Sequence, residues 1–117
     1  MLHIRQGCMC VCVCACKCLA AFVLIQELVP GVMASPESKT KDGFEQQFGV
    51  NHLAHFLLFE LLKPQLLASS TPEFQSRVVV LTSRGHQRET VRLDDLDFKK
   101  RGYEPFKSYG QACHCSA

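Results

Sequence analysis

Residues 19–112 contain no cysteine, although the chain of 117 residues has eight of them. A secreted scaffold held by disulfides usually spreads its cysteines through the fold, so that the bridges close loops between distant elements. Here six cysteines alternate with other residues between positions 8 and 18, and the other two are Cys113 and Cys115. This distribution argues against a disulfide-stapled domain.

The chain also lacks a large excess of charge of either sign. Its net charge is +2, with 47% hydrophobic and 21% charged residues, which is ordinary for a globular protein. No run of basic residues with interleaved aromatics occurs, so the composition favours neither nucleic acid nor a strongly acidic partner. The length allows at most one domain.

The cysteine block at residues 8–18 reads CMCVCVCACKC and leads into an apolar run that ends near residue 25. In an extended strand all its sulfurs would share one face and could bind a soft metal, but the paired spacing of a structural zinc site is absent. Arg5 ahead of the run suits a targeting segment or membrane anchor, although a central Lys17 disfavours insertion by roughly 2.5–3.5 kcal/mol. A repeated TG dinucleotide would also encode alternating Cys and Val. On this third interpretation the block is an incidental extension. The three interpretations stay open.

The sequence divides the chain into three predicted zones. Residues 1–26 form the cysteine-rich, hydrophobic extension, residues 27–112 form a partial domain, and residues 113–117 form an irregular tail. In the middle zone, Asp42 is a predicted N-cap with Glu45 three residues on. Apolar residues then recur at helical spacing as far as Pro64, which predicts a helix over about 43–62.

A short, β-branched run follows the predicted helix at residues 77–82. Such a run is typical of a strand buried on both faces of a parallel sheet, and residues 22–25 are a possible partner strand. A second helix is predicted to open over residues 105–112. The order of helix, strand and helix predicts an α/β fold, an incomplete doubly wound parallel sheet of the Rossmann type. In such sheets the functional site lies beyond the carboxyl end of a strand, which places Ser83 there.

Three stretches resemble the short-chain dehydrogenase/reductases, and in particular their retinol-dehydrogenase and WW-domain-oxidoreductase branch. Residues 42–58 read DGFEQQFGVNHLAHFLL and resemble a helix of that family. Residues 77–86 read RVVVLTSRGH and resemble its Arg-Val-Val-x-Val-Ser-Ser-x-x-His strand end. The DDLDF of residues 94–98, followed by Tyr103 and Tyr109, resembles the approach to its Tyr-x-x-x-Lys helix. The stretches occur in the family's order, which identifies the chain as a central fragment of such a domain.

The resemblance implies an oxidoreductase that transfers hydride between NAD(P) and a carbonyl or alcohol substrate. Carried over by position, Tyr109 would be the general acid/base and Ser83 the hydroxyl that steadies the substrate oxygen. Asn51 would be the helix residue that holds a water in the proton relay. Gly31 is retained from the family's Asn-Asn-Ala-Gly motif and is the candidate cofactor-binding residue. A phenol has a pKa of about 10 and needs help to act near neutral pH, which the family supplies with a Lys four residues after the Tyr.

The sequence departs from the family at several of these points. Cys113 stands where the Lys is expected, and Lys107 lies two residues before Tyr109, on the opposite side of a helix. None of the seven glycines forms the Gly-x-x-x-Gly-x-Gly turn that brings backbone amides against cofactor phosphates. Residues 28–33 read LVPGVM and keep only the glycine of the Asn-Asn-Ala-Gly motif. The departures argue against NAD(P) binding by this chain.

Histidine and cysteine pairs outside the block are interpreted as structural. His52 and His55 are three residues apart with no third ligand nearby, so we expect them to pack or face solvent. His86 follows the Ser83 turn and matches a family position of structural type. The trailing Cys113-His114-Cys115 belongs to the predicted irregular tail. No metal site is therefore predicted.

Two functions follow, from different classes. The first is the oxidoreductase activity that the resemblance implies, on a small carbonyl or alcohol compound, with the chain truncated and inactive alone. The second is a non-catalytic truncated product that is inert or pairs with an intact relative, since the family's Asn51-type helix commonly packs across a dimer interface. The apolar run is compatible with membrane contact. The sequence does not decide whether the chain is cytoplasmic or membrane-associated. No nucleic-acid partner is expected.

Overall fold

The computed structural model describes the backbone of Val11–Lys17 and Ala21–Ile25 and the chain from residue 31 to residue 116. Strands and helices both occur in this part of the chain, as an α/β fold requires. In chain order the elements are β1 (Val11–Lys17), β2 (Ala21–Ile25), α1 (Gln46–Phe48), a π-helical segment (Gly49–Leu53), α2 (Ala54–Ser69), β3 (Arg77–Val80), a 3₁₀ turn (Arg84–Gln87) and α3 (Pro105–Cys115).

The three described strands form one sheet in the order β2-β1-β3. β1 pairs antiparallel with both neighbours, and Val13 lies opposite Ile25 on one side and Val78 on the other. The predicted parallel pairing is wrong for these strands. Only three residues separate β1 from β2, whereas a parallel pair needs a crossover of a dozen or more. The predicted partner strand at 22–25 does exist, but β1 lies between it and β3.

One further expectation for this sheet is corrected. Val80 is 47% exposed and the next residue, Leu81, is 42% exposed, so the end of β3 is not buried on both faces. β1, within the predicted amino-terminal extension, shares backbone pairing with β3 of the predicted domain.

The first long helix begins three residues later than the cap prediction placed it. The Glu45 carboxylate accepts hydrogen bonds from the backbone N–H groups of Gln47 (2.9 Å) and Phe48 (2.7 Å), so Glu45 is the N-cap and Asp42 is not. Gly43 has a φ of +89° in a turn that the Thr40 carbonyl closes by accepting from its N–H. This left-handed turn keeps the chain out of helical geometry until Glu45.

The helix also continues past Pro64, to Ser69. Pro64 removes one backbone donor, which would favour an end to the helix at this point. Leu66 lies beyond the proline, is buried, and packs against Phe59, Leu62 and Val78 of β3. This packing of the helix on the sheet holds the last turn of α2 in place. Within the described residues, no helix combines the length and apolar character that a membrane crossing requires.

The segment between the 3₁₀ turn and α3 is irregular and is tied to α3 by Arg101. The guanidinium of Arg101 donates to the Gln111 side chain (2.6 Å), pairs with Glu89 (3.3 Å) and lies 4.1 Å from the centre of the Phe98 ring. α3 begins at Pro105, where a helix is predicted, but runs to Cys115. The predicted irregular tail is therefore wrong for residues 113–115, and Cys113 is completely buried.

Candidate active site

The turn after β3 brings Ser83 to the side of α3. The Ser83 hydroxyl accepts a hydrogen bond from the Gly85 N–H (3.2 Å) and thereby starts the 3₁₀ turn. The Ser83 carbonyl lies 2.8 Å from Nδ1 of His86, which fixes the turn from its other end. Thr82, one residue earlier, donates its hydroxyl hydrogen to the carbonyl of Cys113 at 2.9 Å. The turn is thus anchored to the helix that carries Tyr109.

Two glycines let the turn and α3 approach each other closely. A Cβ placed on Gly85 would lie 2.9 Å from Cε1 of Tyr109 and 3.6 Å from Sγ of Cys113. A Cβ placed on Gly110 would lie 2.8 Å from the backbone oxygen of Gly85. Carbon atoms at such distances overlap, so a side chain at either position would push the Tyr109 ring or the helix away from Ser83.

The Tyr109 phenol keeps its proton in this environment. Burial raises its pKa above the ordinary value of 10.0; the neighbouring Ser83 hydroxyl lowers it and the Cys113 thiol raises it. Burial also raises the pKa of the Cys113 thiol above 9.0. Tyr109 and Cys113 are therefore both neutral at physiological pH. The group that lies one helical turn after the phenol supplies no positive charge.

Ser83 and Tyr109 line one open cleft of about 460 Å³. Its other lining residues come from the 3₁₀ turn, from the start of α3 and from the segment after Gly31, and they are Met33, Arg84, Gly85, Gln87, Arg88 and Phe106. The two arginines were not predicted as site residues. In the sequence, Arg84 directly follows Ser83 and Arg88 lies four positions further on, and this spacing is the signal that could have identified them.

Asn51 occupies a different place from these two residues. It is completely buried in the π-helical segment, a rare conformation that is frequent at functional sites. Its side chain donates to the Val32 carbonyl (2.7 Å) and accepts from the Val32 N–H (2.9 Å). Asn51 therefore fixes the chain next to Gly31, and neither Asn51 nor Gly31 lines the cleft of Ser83 and Tyr109.

The histidines of the same helix have separate surroundings. His52 lies with Nδ1 3.3 Å from the Ser116 hydroxyl. His55 is 6% exposed, and neither of its ring nitrogens has a hydrogen-bond partner in the described part of the chain. Burial lowers the pKa of both rings below 6.5. In that same part, His, Cys, Asp and Glu side chains form no group of three that could hold a metal ion.

The known proteins that are similar to this chain include several dehydrogenases. A short-chain dehydrogenase/reductase, prx1, from Penicillium roqueforti is 56% identical over 82 residues, which are 70% of this chain and 24% of that protein. Human polyprenol dehydrogenase and human retinol dehydrogenase 13 are 43% and 45% identical, with the same coverage. A solved structure of an uncharacterized protein from Mycobacterium Paratuberculosis matches with a TM-score of 0.61 and 41% identity, over 71% of this chain and 28% of that one. No family model matches.

The chain contains a segment of the short-chain dehydrogenase/reductase family. It spans about a quarter of the length of the curated relatives that it matches. The predicted resemblance is confirmed at the level of the family. NAD(P) dependence is general in the short-chain dehydrogenase/reductases.

The described residues do not fit NAD(P) in the way the family's motifs do. The family places a Lys four residues after its Tyr, where the ammonium holds the nicotinamide ribose. Here that position is Cys113, a buried, neutral thiol that packs toward Gly85. Gly31 is half-buried beside Val32, whose backbone N–H and C=O both bond to Asn51. No chemical step through the cofactor follows from these contacts.

Proposed function

We propose that this segment of a short-chain dehydrogenase/reductase binds a carbonyl or alcohol oxygen between Ser83 and Tyr109. The chain of 117 residues by itself does not transfer hydride to or from NAD(P). The Ser83 hydroxyl and the protonated phenol each donate one hydrogen bond, and a carbonyl oxygen has two lone pairs that accept them. Ser83 and Tyr109 are therefore binding residues in this chain, and the acid/base role remains a property proposed for an intact domain.

The burial of Cys113 beside Tyr109 carries this proposal. A general acid/base must exchange its proton near the working pH, and a nearby positive charge would lower the phenol pKa toward that range. Burial and the thiol act in the opposite direction, since both raise the pKa of Tyr109. Asn51 offers no second donor at the cleft, because its amide is committed to Val32.

Binding by the purified chain tests both halves of the proposal. We expect calorimetry to detect no NADPH binding at millimolar cofactor, and we expect no loss of NADPH absorbance on adding benzaldehyde. Benzaldehyde itself should bind weakly, with shifts in the amide resonances of residues 83–88. Ser83→Ala and Tyr109→Phe should each weaken that binding several-fold, because one donor is lost.

Tyr103 supplies the matched control. It is the other tyrosine of the chain, and its phenol donates to the Ser35 carbonyl (2.9 Å), outside the cleft. Tyr103→Phe should leave benzaldehyde affinity unchanged if the helical circular dichroism is retained. NADPH oxidation by the wild-type chain that disappears in Tyr109→Phe would overturn the claim that the chain transfers no hydride.

A second function, pairing with an intact relative, is supported by an exposed apolar face on α2. Phe56, Leu57, Leu61 and Leu67 are 57%, 58%, 64% and 69% exposed. Isolated exposed apolar side chains are common, but four of them on one helix support a role as an interaction surface. The occupant we propose is the same helix of a second short-chain dehydrogenase/reductase domain.

Sedimentation of the chain, alone and mixed with a full-length relative, tests the pairing. Leu57→Glu with Leu61→Glu should abolish any mixed species, because the charges would be buried in the interface. Glu60→Gln with Lys63→Gln changes the neighbouring exposed pair, whose N···O distance is 3.5 Å, and should preserve it. Sedimentation of the wild-type chain as a monomer in every mixture would exclude this function.

A further inference from the structure

Two arginines stand at the cleft that contains Ser83 and Tyr109. Arg84 and Arg88 lie at the two ends of the 3₁₀ turn, and both line the cleft. The guanidinium of Arg88 lies 5.5 Å from the centre of the Phe106 ring, a cation–π distance that holds the side chain at the cleft wall. The positive charge is thus part of the cleft and close in sequence to the hydroxyl of Ser83.

No carboxylate in the described part of the chain neutralises this pair. None of the cleft residues is acidic, and neither arginine has a carboxylate oxygen within 4.0 Å among residues 31–116. The nearest acid along the chain, Glu89, pairs with Arg101 at 3.3 Å. Two guanidinium groups that have no carboxylate partner among residues 31–116 create a positive potential at this cleft, which favours an anionic ligand group.

The remaining walls define the other parts of the ligand. Met33 and Phe106 are 41% and 47% exposed and give the cleft an apolar lining. We infer that the cleft takes a carbonyl or alcohol compound with an apolar body and a carboxylate or phosphate at its other end. The oxygen lies at Ser83 and Tyr109, and the anionic group lies at Arg84 and Arg88. The assignment of the oxygen end rests on the proposed function, whereas the assignment of the anionic end rests on the arginines.

Three benzene derivatives distinguish the oxygen end of the ligand from its anionic end. 4-Formylbenzoate carries both a carbonyl and a carboxylate, 4-formylbenzamide replaces the carboxylate by a neutral amide, and benzoate lacks the carbonyl. We expect 4-formylbenzoate to bind the full chain about fivefold to tenfold more tightly than 4-formylbenzamide at low salt, since two exposed ion pairs each contribute modestly. The preference should shrink at about 0.5 M salt, which screens exposed charges.

A charge-matched pair of variants tests the residues. Arg84→Gln with Arg88→Gln should remove the preference for 4-formylbenzoate over 4-formylbenzamide, because the loss of affinity is larger for the carboxylate than for the neutral amide. Lys99→Gln with Lys100→Gln removes the same charge from exposed side chains outside the cleft, and should keep the preference. Both pairs lie on the surface, so thermal melts should agree with that of the wild-type chain.

The outcomes distinguish the inference from the proposed function. Equal affinities for 4-formylbenzoate and 4-formylbenzamide, or an equal effect of the lysine pair, overturn the anionic-group inference even if Ser83→Ala weakens both aldehydes. Equal affinities for 4-formylbenzoate and benzoate, with no effect of Ser83→Ala, defeat the carbonyl assignment while the arginine effect still stands. Nicotinamide mononucleotide is the last probe. If it binds more tightly than 4-formylbenzoate and this binding requires both arginines, the anionic group belongs to a nucleotide and the substrate inference is overturned.

Discussion

The thiol of Cys113 and the ring of Tyr109 pack against the same glycine, one helical turn apart on α3. A Cβ on Gly85 would lie 3.6 Å from the sulfur and 2.9 Å from the ring carbon Cε1. Cys113 is completely buried, and its neutral thiol is the group that lies one helical turn after the phenol. This arrangement supplies no positive charge beside Tyr109, so it suits the binding of an oxygen better than the transfer of a proton.

The helix cap gives the first prediction. Glu45→Ala should lower the free energy of unfolding by about 1–2 kcal/mol, because the N–H groups of Gln47 and Phe48 lose their acceptor. Asp42→Ala should change it by less than about 0.5 kcal/mol, as expected of a surface site. Urea unfolding followed by circular dichroism measures both values. A larger effect at Asp42 would restore the cap that the sequence pattern favoured.

These two acidic residues show what the sequence could and could not predict. Asp42 with Glu45 fits a capping box by spacing alone, but the left-handed turn at Gly43 moves the helix start, and that turn depends on the carbonyl of Thr40. The end of a β-branched strand and the start of a helix are local signals, so the elements that carry Ser83 and Tyr109 could be predicted, whereas Tyr109 itself is singled out by the family resemblance. The antiparallel sheet could not be foreseen in the same way, since β1 and β3 are sixty residues apart in the chain and their pairing is decided by tertiary contacts.

The amide of Asn51 gives the second prediction. Asn51→Ala should cost about 2 kcal/mol of stability, because both backbone polar groups of Val32 lose a buried partner. Asn51→Asp keeps an acceptor for the Val32 N–H but cannot donate to its carbonyl, so its loss should also be marked. Hydrogen exchange at the Val32 amide reports the same contact directly. Unchanged exchange and stability in Asn51→Ala would show that the side chain does not hold Val32.

The close approach of the two glycines gives the third prediction. Gly85→Ala should cost about 1–3 kcal/mol and weaken benzaldehyde binding, because its Cβ meets the Tyr109 ring. Gly110→Ala gains up to about 1 kcal/mol of helix propensity, yet its Cβ meets a backbone oxygen at 2.8 Å, which cannot move aside as a side chain can. We therefore expect a net loss at Gly110 as well. Gln65→Ala, at an exposed position of α2, is the control that should melt like the wild-type chain.

The neutral state of the thiol and the phenol gives a prediction at alkaline pH. The pKa values of Cys113, Cys115 and Tyr109 are raised in the folded chain, chiefly by burial, so the folded state keeps protons that the unfolded state releases. Their contribution to stability is complete below pH 9 and is lost as the pH rises past 9.0 for the thiols and 10.0 for the phenol. Urea unfolding at several pH values should show this decline. Cys113→Ser should make it shallower, and a slope identical to wild type would contradict the assignment.

The buried ring of His55 gives the opposite dependence on pH. Burial lowers its pKa, with a smaller rise from the nearby Asn51 carbonyl, so the folded chain favours the neutral ring. The unfolded chain binds a proton near pH 6.5, and stability should fall as the pH drops below that value. Because neither ring nitrogen has a hydrogen-bond partner in the described part of the chain, His55→Leu should raise the free energy of unfolding by about 1 kcal/mol at neutral pH.

The same variant should show a larger gain at about pH 5.5, where the wild-type chain is penalised for keeping the ring neutral. His52, whose pKa burial also lowers, should leave part of the acid dependence in place. His114→Gln, at an exposed position, is the control that should leave the free energy of unfolding at neutral pH unchanged. If His55→Leu instead lowered stability at neutral pH, the ring would have to make a hydrogen bond that stabilises the fold, and the helix around Asn51 would then be held by His55 as well as by the Val32 contact.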